Sequence, residues 1–402
     1  MTEISLRRVP PPAGKSLRVR LRRRPFTHHN RLAAMVVLAN LACLNAGAST
    51  MVVANFTLAV LIRQQYVINL LFRLATGVPK HWPLRVRWTL GKVYHFGGLH
   101  VGAAVCATAW FLVLAVTSPP RILTWVIAVL LVAIVVLALP SLRARHHDRF
   151  ERTHRFGGWT VLVLFAVHTA MYGGGAARWL LPVVVASVVL PWLRLRRVPV
   201  RIERPSSHVV LVHFDYGVTP FAGSSTAVSR NPLLEWHSFA NVPAPDRSGF
   251  RLTISRAGDW TGALIDDLPA RLWVKGIPTA GVGNIDKLFT SVVWVATGSG
   301  IGPCLPHLLS GDTPARLVWS TRNPRATYGD ALVDEILGVQ PDAVVWDTGR
   351  DGKPDLVALA YQVWQESGAE AVICISNKKT TWHVVEELEA RGIPAFGAIW
   401  DS

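Results

Sequence analysis

The sequence predicts a chain of two characters: a six-helix transmembrane bundle, then a β-rich unit and a doubly wound α/β domain. Three observations predict it. Long uncharged apolar runs alternate with short arginine-rich joints up to about Arg197. Charge divides unevenly, with 27 Lys+Arg against 4 Asp+Glu in residues 1–205 and 15 against 21 in residues 206–402. The segment Thr297-Gly298-Ser299-Gly300-Ile301-Gly302-Pro303 joins an apolar, strand-like run to a helix-like one.

A bilayer core about 30 Å thick needs ~20 apolar residues per helix. Runs near 31–48, 51–72, 89–116, 122–141, 156–173 and 178–194 meet that length. With six spans, the arginines around 63–92, 143–155 and 194–197 fall on one side, and the opposite short loops hold only Arg121 and Arg178. The positive-inside rule then makes this an integral, multi-pass protein with both termini cytoplasmic and the lipid bilayer as a partner. The net charge of +17 sits between apolar spans, where it reads as topology and attraction to anionic lipid, so nucleic acid is not expected as a partner. Residues 1–30 read as a basic cytoplasmic arm. Cys43, Cys106, Cys304 and Cys374 are scattered, without the spacing of a zinc site, an iron–sulfur cluster or a disulfide framework.

Beyond the bundle (31–197), strands at 208–213, 250–255 and 271–275 form a compact unit over 205–285. Strands at 291–296, 316–320, 342–346 and 371–375 alternate with helical stretches through 286–402, the pattern of a parallel doubly wound sheet. Gly298, Gly300 and Gly302 permit close backbone approach, and the following helix offers unpaired N–H groups to a pyrophosphate. Arg322, with Arg325, follows the next strand end, where a ribose 2′-phosphate would lie and arginine could pair with it. A solvated loop arginine is the competing reading.

With these segments on view, the chain resembles the ferric reductase/NADPH oxidase superfamily, closest to TmpA-type integral membrane proteins, and its C-terminal half resembles the ferredoxin–NADP reductase fold. Trp236-His237-Ser238-Phe239-Ala240 stands at the family's flavin strand, and Gly258-Asp259-Trp260-Thr261 resembles its pyrophosphate turn. Val274-Lys275-Gly276-Ile277-Pro278 resembles the strand end before the nucleotide domain. The resemblance implies a cytosolic FAD-binding β-barrel with His237, Ser238, Phe239, Gly258 and Thr261 holding flavin and Trp400 covering its ring. It implies an NAD(P)H-binding domain in which Thr297, Gly298, Gly300, Gly302 and Pro303 hold the nicotinamide nucleotide. The flavin arginine motif is replaced by Glu235-Trp236, and the nicotinamide segment reads Cys374-Ile375-Ser376-Asn377.

The same resemblance assigns heme b to histidines of the bundle. His154 and His168 are separated by about 21 Å of helix rise and share one face to within about 40°. His100 and His168 would hold one iron, with His154 and His95 as further ligands. Hydrogen bonding between helices is the alternative for all four. Three functions follow: a membrane oxidoreductase passing electrons from NAD(P)H through FAD to an unidentified acceptor, a hemeless membrane-anchored flavoprotein acting on a small lipophilic metabolite, or a degenerate nucleotide-binding sensor or scaffold.

Overall fold

The computed structural model describes residues 9–11, 25–145, 147–173, 175–244 and 248–397. Most of the basic arm, and Trp400, lie outside the described residues. The first half is helical: α1 (His28–Ala42), α2 (Ala48–Leu61), α3 (Gln65–Thr76), α4 (Leu84–Leu90), α5 (Gly97–Thr117), α6 (Ile122–Leu137), α7 (Pro140–Arg145), α8 (His147–Tyr172) and α9 (Ala176–Leu193). A 3₁₀ turn over Gly91–Phe96 joins α4 to α5. Their shared core is built from Val52, Val53, Phe111, Ile127, Leu131, Val161 and Phe165. Glycines let α5 lie directly on α1. A Cβ on Gly98 would stand 2.0 Å from the His29 carbonyl oxygen, and one on Gly102 would stand 2.7 Å from that of Ala33.

These helices do not make six spans. Among the described residues, one continuous helical run, Leu84–Thr117, is long and apolar enough to cross a bilayer. The run read as the second span breaks at Arg63 and Gln64, and α2 and α3 meet at 76°. The Gln64 side chain caps the new helix, its Oε1 accepting from the backbone N–H of Val67 at 3.3 Å. Helix α6 has 16 residues, about 24 Å of rise, short of the hydrocarbon core. Helix α9 carries Pro182 and Pro191 inside it. The predicted multi-pass topology, with both termini assigned to the cytoplasm, falls with the span count.

The long run has a second occupation. Arg87, in α4, pairs with Glu370 at 2.7 Å and donates to the Leu288 carbonyl at 2.8 Å. Lys92 pairs with Glu389 at 2.6 Å and donates to the Ala395 carbonyl at 2.7 Å. The start of this run is therefore an interface with the C-terminal domain, and its cations have protein partners. Gly91 allows the contact, since a Cβ there would stand 2.6 Å from the Phe396 ring.

The second half begins with an antiparallel barrel: β1 (Leu195–Glu203), β2 (Val209–Phe214), β3 (Ser224–Ser229), β4 (His237–Ala240), β5 (Val242–Pro243), β6 (Phe250–Ser255), helix α10 (Asp259–Asp267), β7 (Arg271–Lys275) and β8 (Thr279–Ala280). The order is β4-β3-β7-β1-β2-β6-β5, with β8 beside β3. β4 and β5 are one strand bent at the buried Asn241, pairing β3 on one side and β6 on the other, so the sheet nearly closes on itself. Asn241 holds the bend by donating from its backbone and its side-chain amide to Ser224, both at 2.9 Å.

A 3₁₀ segment (Val282–Leu288) leads into β9 (Val292–Thr297), α11 (Ile301–Ser310), β10 (Ala315–Thr321), α12 (Pro324–Tyr328), α13 (Asp330–Val339), β11 (Val344–Asp347), α14 (Leu356–Ser367), β12 (Ala371–Ile375), α15 (Lys378–Glu389) and β13 (Ala395–Gly397). The five strands are parallel in the order β11-β10-β9-β12-β13. Alternate residues of β9 enter different cores: Trp294 and Ala296 pack with α11 and α13, Val293 and Val295 with α14 and α15. A strand covered on both faces reads as a continuous apolar run.

Glu370 also accepts from the backbone N–H of Thr290 at 2.8 Å, and its carboxyl is held down at about 2 by Arg87 against an ordinary 4.5. A depressed folded-state value contributes stability above pH 4.5 that is lost as pH falls towards 2. Arg87→Met should therefore lower unfolding free energy at neutral pH by about 3 kcal/mol in urea titrations and flatten the acid limb between pH 4.5 and 2. Equal acid limbs in the two proteins would remove the pair from its structural role.

Candidate nucleotide site

The order β11-β10-β9-β12-β13 reverses direction between β9 and β12, which places a crevice at their carboxyl ends. Thr297 ends β9 and Ser376 follows β12, and their hydroxyls hydrogen-bond across the crevice floor at 2.5 Å. Gly298 has φ +51°, the left-handed region that glycine enters without strain. Its carbonyl accepts from the Trp319 indole N–H at 3.0 Å. Gly300 is where the turn crosses β12: a Cβ there would lie 2.1 Å from the Ile375 carbonyl oxygen. A Cβ on Gly302 would make only ordinary contact with Thr253 of the barrel, at 3.4 Å. Pro303 falls in the first turn of α11, where a missing N–H forfeits no helical bond.

These residues form one cradle: a glycine-rich turn whose one side chain is Ser299, two hydroxyls, and a helix start in which the Ile301 N–H already bonds back to the turn and Pro303 has no N–H. Its chemistry suits a pyrophosphate. Arg322 is exposed beside it, just past β10. Arg325 is not available to the crevice, being paired with Asp330 at 2.8 Å and Asp334 at 2.7 Å. Cys374 is fully buried, and burial pushes its thiol up to about 12, so it is a packing residue. Trp319 and Tyr328 were not singled out in the sequence, and Ser376 appeared there only within the nicotinamide segment.

On the barrel, His237 and Phe239 project from one face of β4, and Trp260 lies over both, with ring centroids 4.2 Å and 6.0 Å away and planes within 26°. Glu235 fixes the indole by accepting from its N–H at 2.6 Å. The ring presented by this ledge is therefore Trp260, whereas the resemblance gave the cover of the flavin ring to Trp400, which lies outside the described residues. Ser238 is exposed on the other face. Thr261 serves the helix: its hydroxyl accepts from the N–H groups of Ala257 and Gly258 at 2.9 and 3.0 Å and donates to the Gly258 carbonyl. Above Gly258 nothing lies within 4 Å of a Cβ position. An indole beside an open helix start is chemically suited to a flavin dinucleotide.

The histidines do not assemble as the resemblance implied. The Nδ1 atom of His100 is bonded to the Ala59 carbonyl at 2.8 Å, and Nε2 of His168 to Thr124 Oγ1 at 3.0 Å. His95 lies between His28 and Tyr94, at 5.9 and 4.2 Å. His154 packs edge-on to His100 at 6.1 Å and against Phe150 at 5.2 Å. Among the described residues no group of three or more His, Cys, Asp or Glu side chains is placed to hold a metal ion. These rings pack and bond between helices.

Residues 282–402 match the family model described as adenylate-forming reductase 03009, C-terminal domain. The chain is 42% identical over 419 residues to adenylate-forming reductase 03009 of Coprinopsis cinerea, an alignment covering 95% of this chain and 41% of the relative. Adenylate-forming reductase 06235 of the same organism matches with the same identity and coverage. The chain thus spans about two fifths of the length of the curated relatives it matches. Among solved structures, flavohemoglobin from Malassezia yamatoensis with bound FAD and heme has TM-score 0.45 at 14% identity, covering 88% of this chain and 99% of that one. The ferredoxin NADP+ reductase from Neisseria gonorrhoeae with bound FAD and NADP has TM-score 0.42 at 13% identity, covering 51% and 98%. Scores this low carry no argument about this chain.

The relatives' names overturn the ferric reductase/NADPH oxidase resemblance, and with it membrane electron transfer through heme b, the membrane-anchored alternative and the sensor. The segments that suggested it are a glycine turn, a flavin-type strand and apolar helices, features that many reductases share and that do not separate families.

Gly300→Ala should destabilise the chain by about 2 kcal/mol, because the methyl meets backbone rather than a movable side chain. Gly258→Ala, opening onto free space, should cost under about 1 kcal/mol. Thermal unfolding of both variants checks the contrast, and equal costs would mean the turn is not fixed against β12.

Proposed function

We propose that this chain is the reducing part of an adenylate-forming reductase-like protein, and that it takes its electrons from NAD(P)H bound in the β9–β12 crevice. The observation that carries this reading is the Thr297–Gly300 turn at the point where the strand order reverses. In this reading the Gly298–Gly300 backbone lies under the pyrophosphate, and the α11 start faces its charge. Thr297 and Ser376 hold the crevice open between β9 and β12 and orient the ring end of the dinucleotide. Arg322 reaches the ribose and favours a 2′-phosphate, so NADPH is the preferred donor. The relatives' printed names supply the word reductase; the share of each relative that this chain spans leaves adenylate formation to the other part.

The barrel ledge supports a second cofactor in the same reading. A bound FAD would supply the exchange between two-electron hydride chemistry and the acceptor. Trp260 would carry its ring, with Glu235 fixing the indole and His237 and Phe239 backing it. Thr261 holds the α10 start in shape beside Gly258.

Titrating purified protein with NADPH and NADH while following tryptophan fluorescence tests the donor. Thr297→Val with Ser376→Ala should weaken NADPH binding about tenfold, roughly 1.4 kcal/mol. Arg322→Gln should narrow the NADPH/NADH preference and leave NADH binding unchanged. Failure of wild-type protein to bind either nucleotide would sink the reading. For the flavin, Trp260→Ala should lose the visible absorbance of bound FAD, and retention of full absorbance would exclude Trp260 as its platform.

A further inference from the structure

A second cavity lies on the outer wall of the barrel, away from the crevice and from the Trp260 ledge. It encloses about 370 Å³ between β1, β2, β5, β6 and the helices α11 and α13, within the range of small-molecule sites. Its floor follows from strand register. Arg201 stands opposite His213, and His213 opposite Arg251, so three basic side chains sit in one row across β1, β2 and β6. The neighbouring row holds Phe214 and Phe250, which are 2% and 3% exposed and point into the barrel core. Alternation along a strand therefore sends the basic row outward, into the cavity.

Like charges in adjacent cross-strand positions repel unless something answers them. Part of the answer is protein. Glu335 of α13 pairs with Arg251. Glu203 lies 4.0 Å from Arg201, and Asp215 accepts from the Ser248 hydroxyl at 3.0 Å. Two nitrogens are left over. Arg251 Nε and His213 Nε2 are buried and have no hydrogen-bond partner. Glu203 Oε2 is 3.5 Å from His213 Nε2 but makes no hydrogen bond to it. A guanidinium nitrogen only donates, so what it lacks is an acceptor. Burial, then Arg201 and Arg251, holds the imidazole below its ordinary value, against an opposing pull from Glu203. Val242 continues the basic row beside Arg251, and Pro243 and Leu309 add apolar lining to the cavity.

We propose that this cavity binds a small ring-bearing carboxylate, its acid accepting from Arg251 Nε and His213 Nε2 and its ring lying against Pro243 and Leu309. It is a site additional to the nucleotide crevice. The two are separated along α11 from Gly302 to Leu309, about 10 Å of helix, so one ligand can occupy each.

The test uses the full chain, sodium benzoate as probe and benzyl alcohol as its uncharged counterpart, read by saturation-transfer NMR. Benzoate should bind at least tenfold more tightly than benzyl alcohol, and saturating NADPH should not displace it. Arg251→Gln with Glu335→Gln removes both charges of the pair together and should weaken benzoate at least tenfold. Ala244→Trp, at the rim, fills the cavity with the pair intact and should abolish the signal; it decides the matter if the double variant fails to fold. Equal binding of the two probes, unchanged benzoate binding in folded Ala244→Trp protein, or displacement by NADPH would each overturn the proposal. The benzoate arms run without nucleotide, so they stand even if the chain binds no NADPH.

Discussion

The structure depends on two ion pairs made far from either nucleotide-type feature. Arg87 with Glu370 and Lys92 with Glu389 carry four charges into an interface where the side chains of Arg87, Lys92 and Glu389 are 6%, 6% and 8% exposed. Removing such charges from water is favourable only when geometry is good and leftover donors find acceptors. Both conditions are met. The two cations also reach the Leu288 and Ala395 carbonyls, and the Trp88 indole N–H donates to Glu389 at 3.1 Å. The Lys92 ammonium further lies 4.5 Å over the Phe396 ring. Loss of either partner would leave a buried charge unanswered, so these pairs fix how the helical layer meets the sheet.

A second attachment repeats the logic with neutral groups. Asn69, on α3, donates to the Pro278 carbonyl at 3.0 Å and accepts from the Ala280 N–H at 2.8 Å, bonding like an added strand at the end of the barrel. The sharp turn between α2 and α3 is what brings Asn69 there. On the far side, the start of α11 rests against Thr253 of the barrel. Helical layer, barrel and sheet are thus tied pairwise. The crevice and the basic cavity lie at different ends of α11, the helix shared by sheet and barrel.

The central strands β9 and β12 of the C-terminal sheet were legible because they are buried on both faces and read as unbroken apolar runs. The glycine turn was legible because closeness to backbone leaves no substitute for glycine at Gly300. Strand β13 was not anticipated; its Ala395–Gly397 stretch is too short to show a period, and it forms by pairing with β12. The ledge was half legible. His237 and Phe239 announce a strand face by their spacing, but Trp260, twenty-odd residues away, covers that face only because α10 folds back over β4. The basic row of Arg201, His213 and Arg251 has no local signature, since register between separate strands creates it.

The helical half marks the division between what sequence and tertiary structure decide. Composition by itself determined that most of residues 31–197 are helical and apolar, because hydrophobic content and helix propensity are properties of short stretches. It also determined the glycine turn and the alternation of strands and helices beyond it. Tertiary structure alone decided that the run from Leu84 begins as a domain interface, that Arg63 and Gln64 end a helix, and that the histidines bond to Ala59 and Thr124. Apolarity records only that a surface avoids water; what lies against that surface depends on residues hundreds of positions away, such as Glu370 and Glu389.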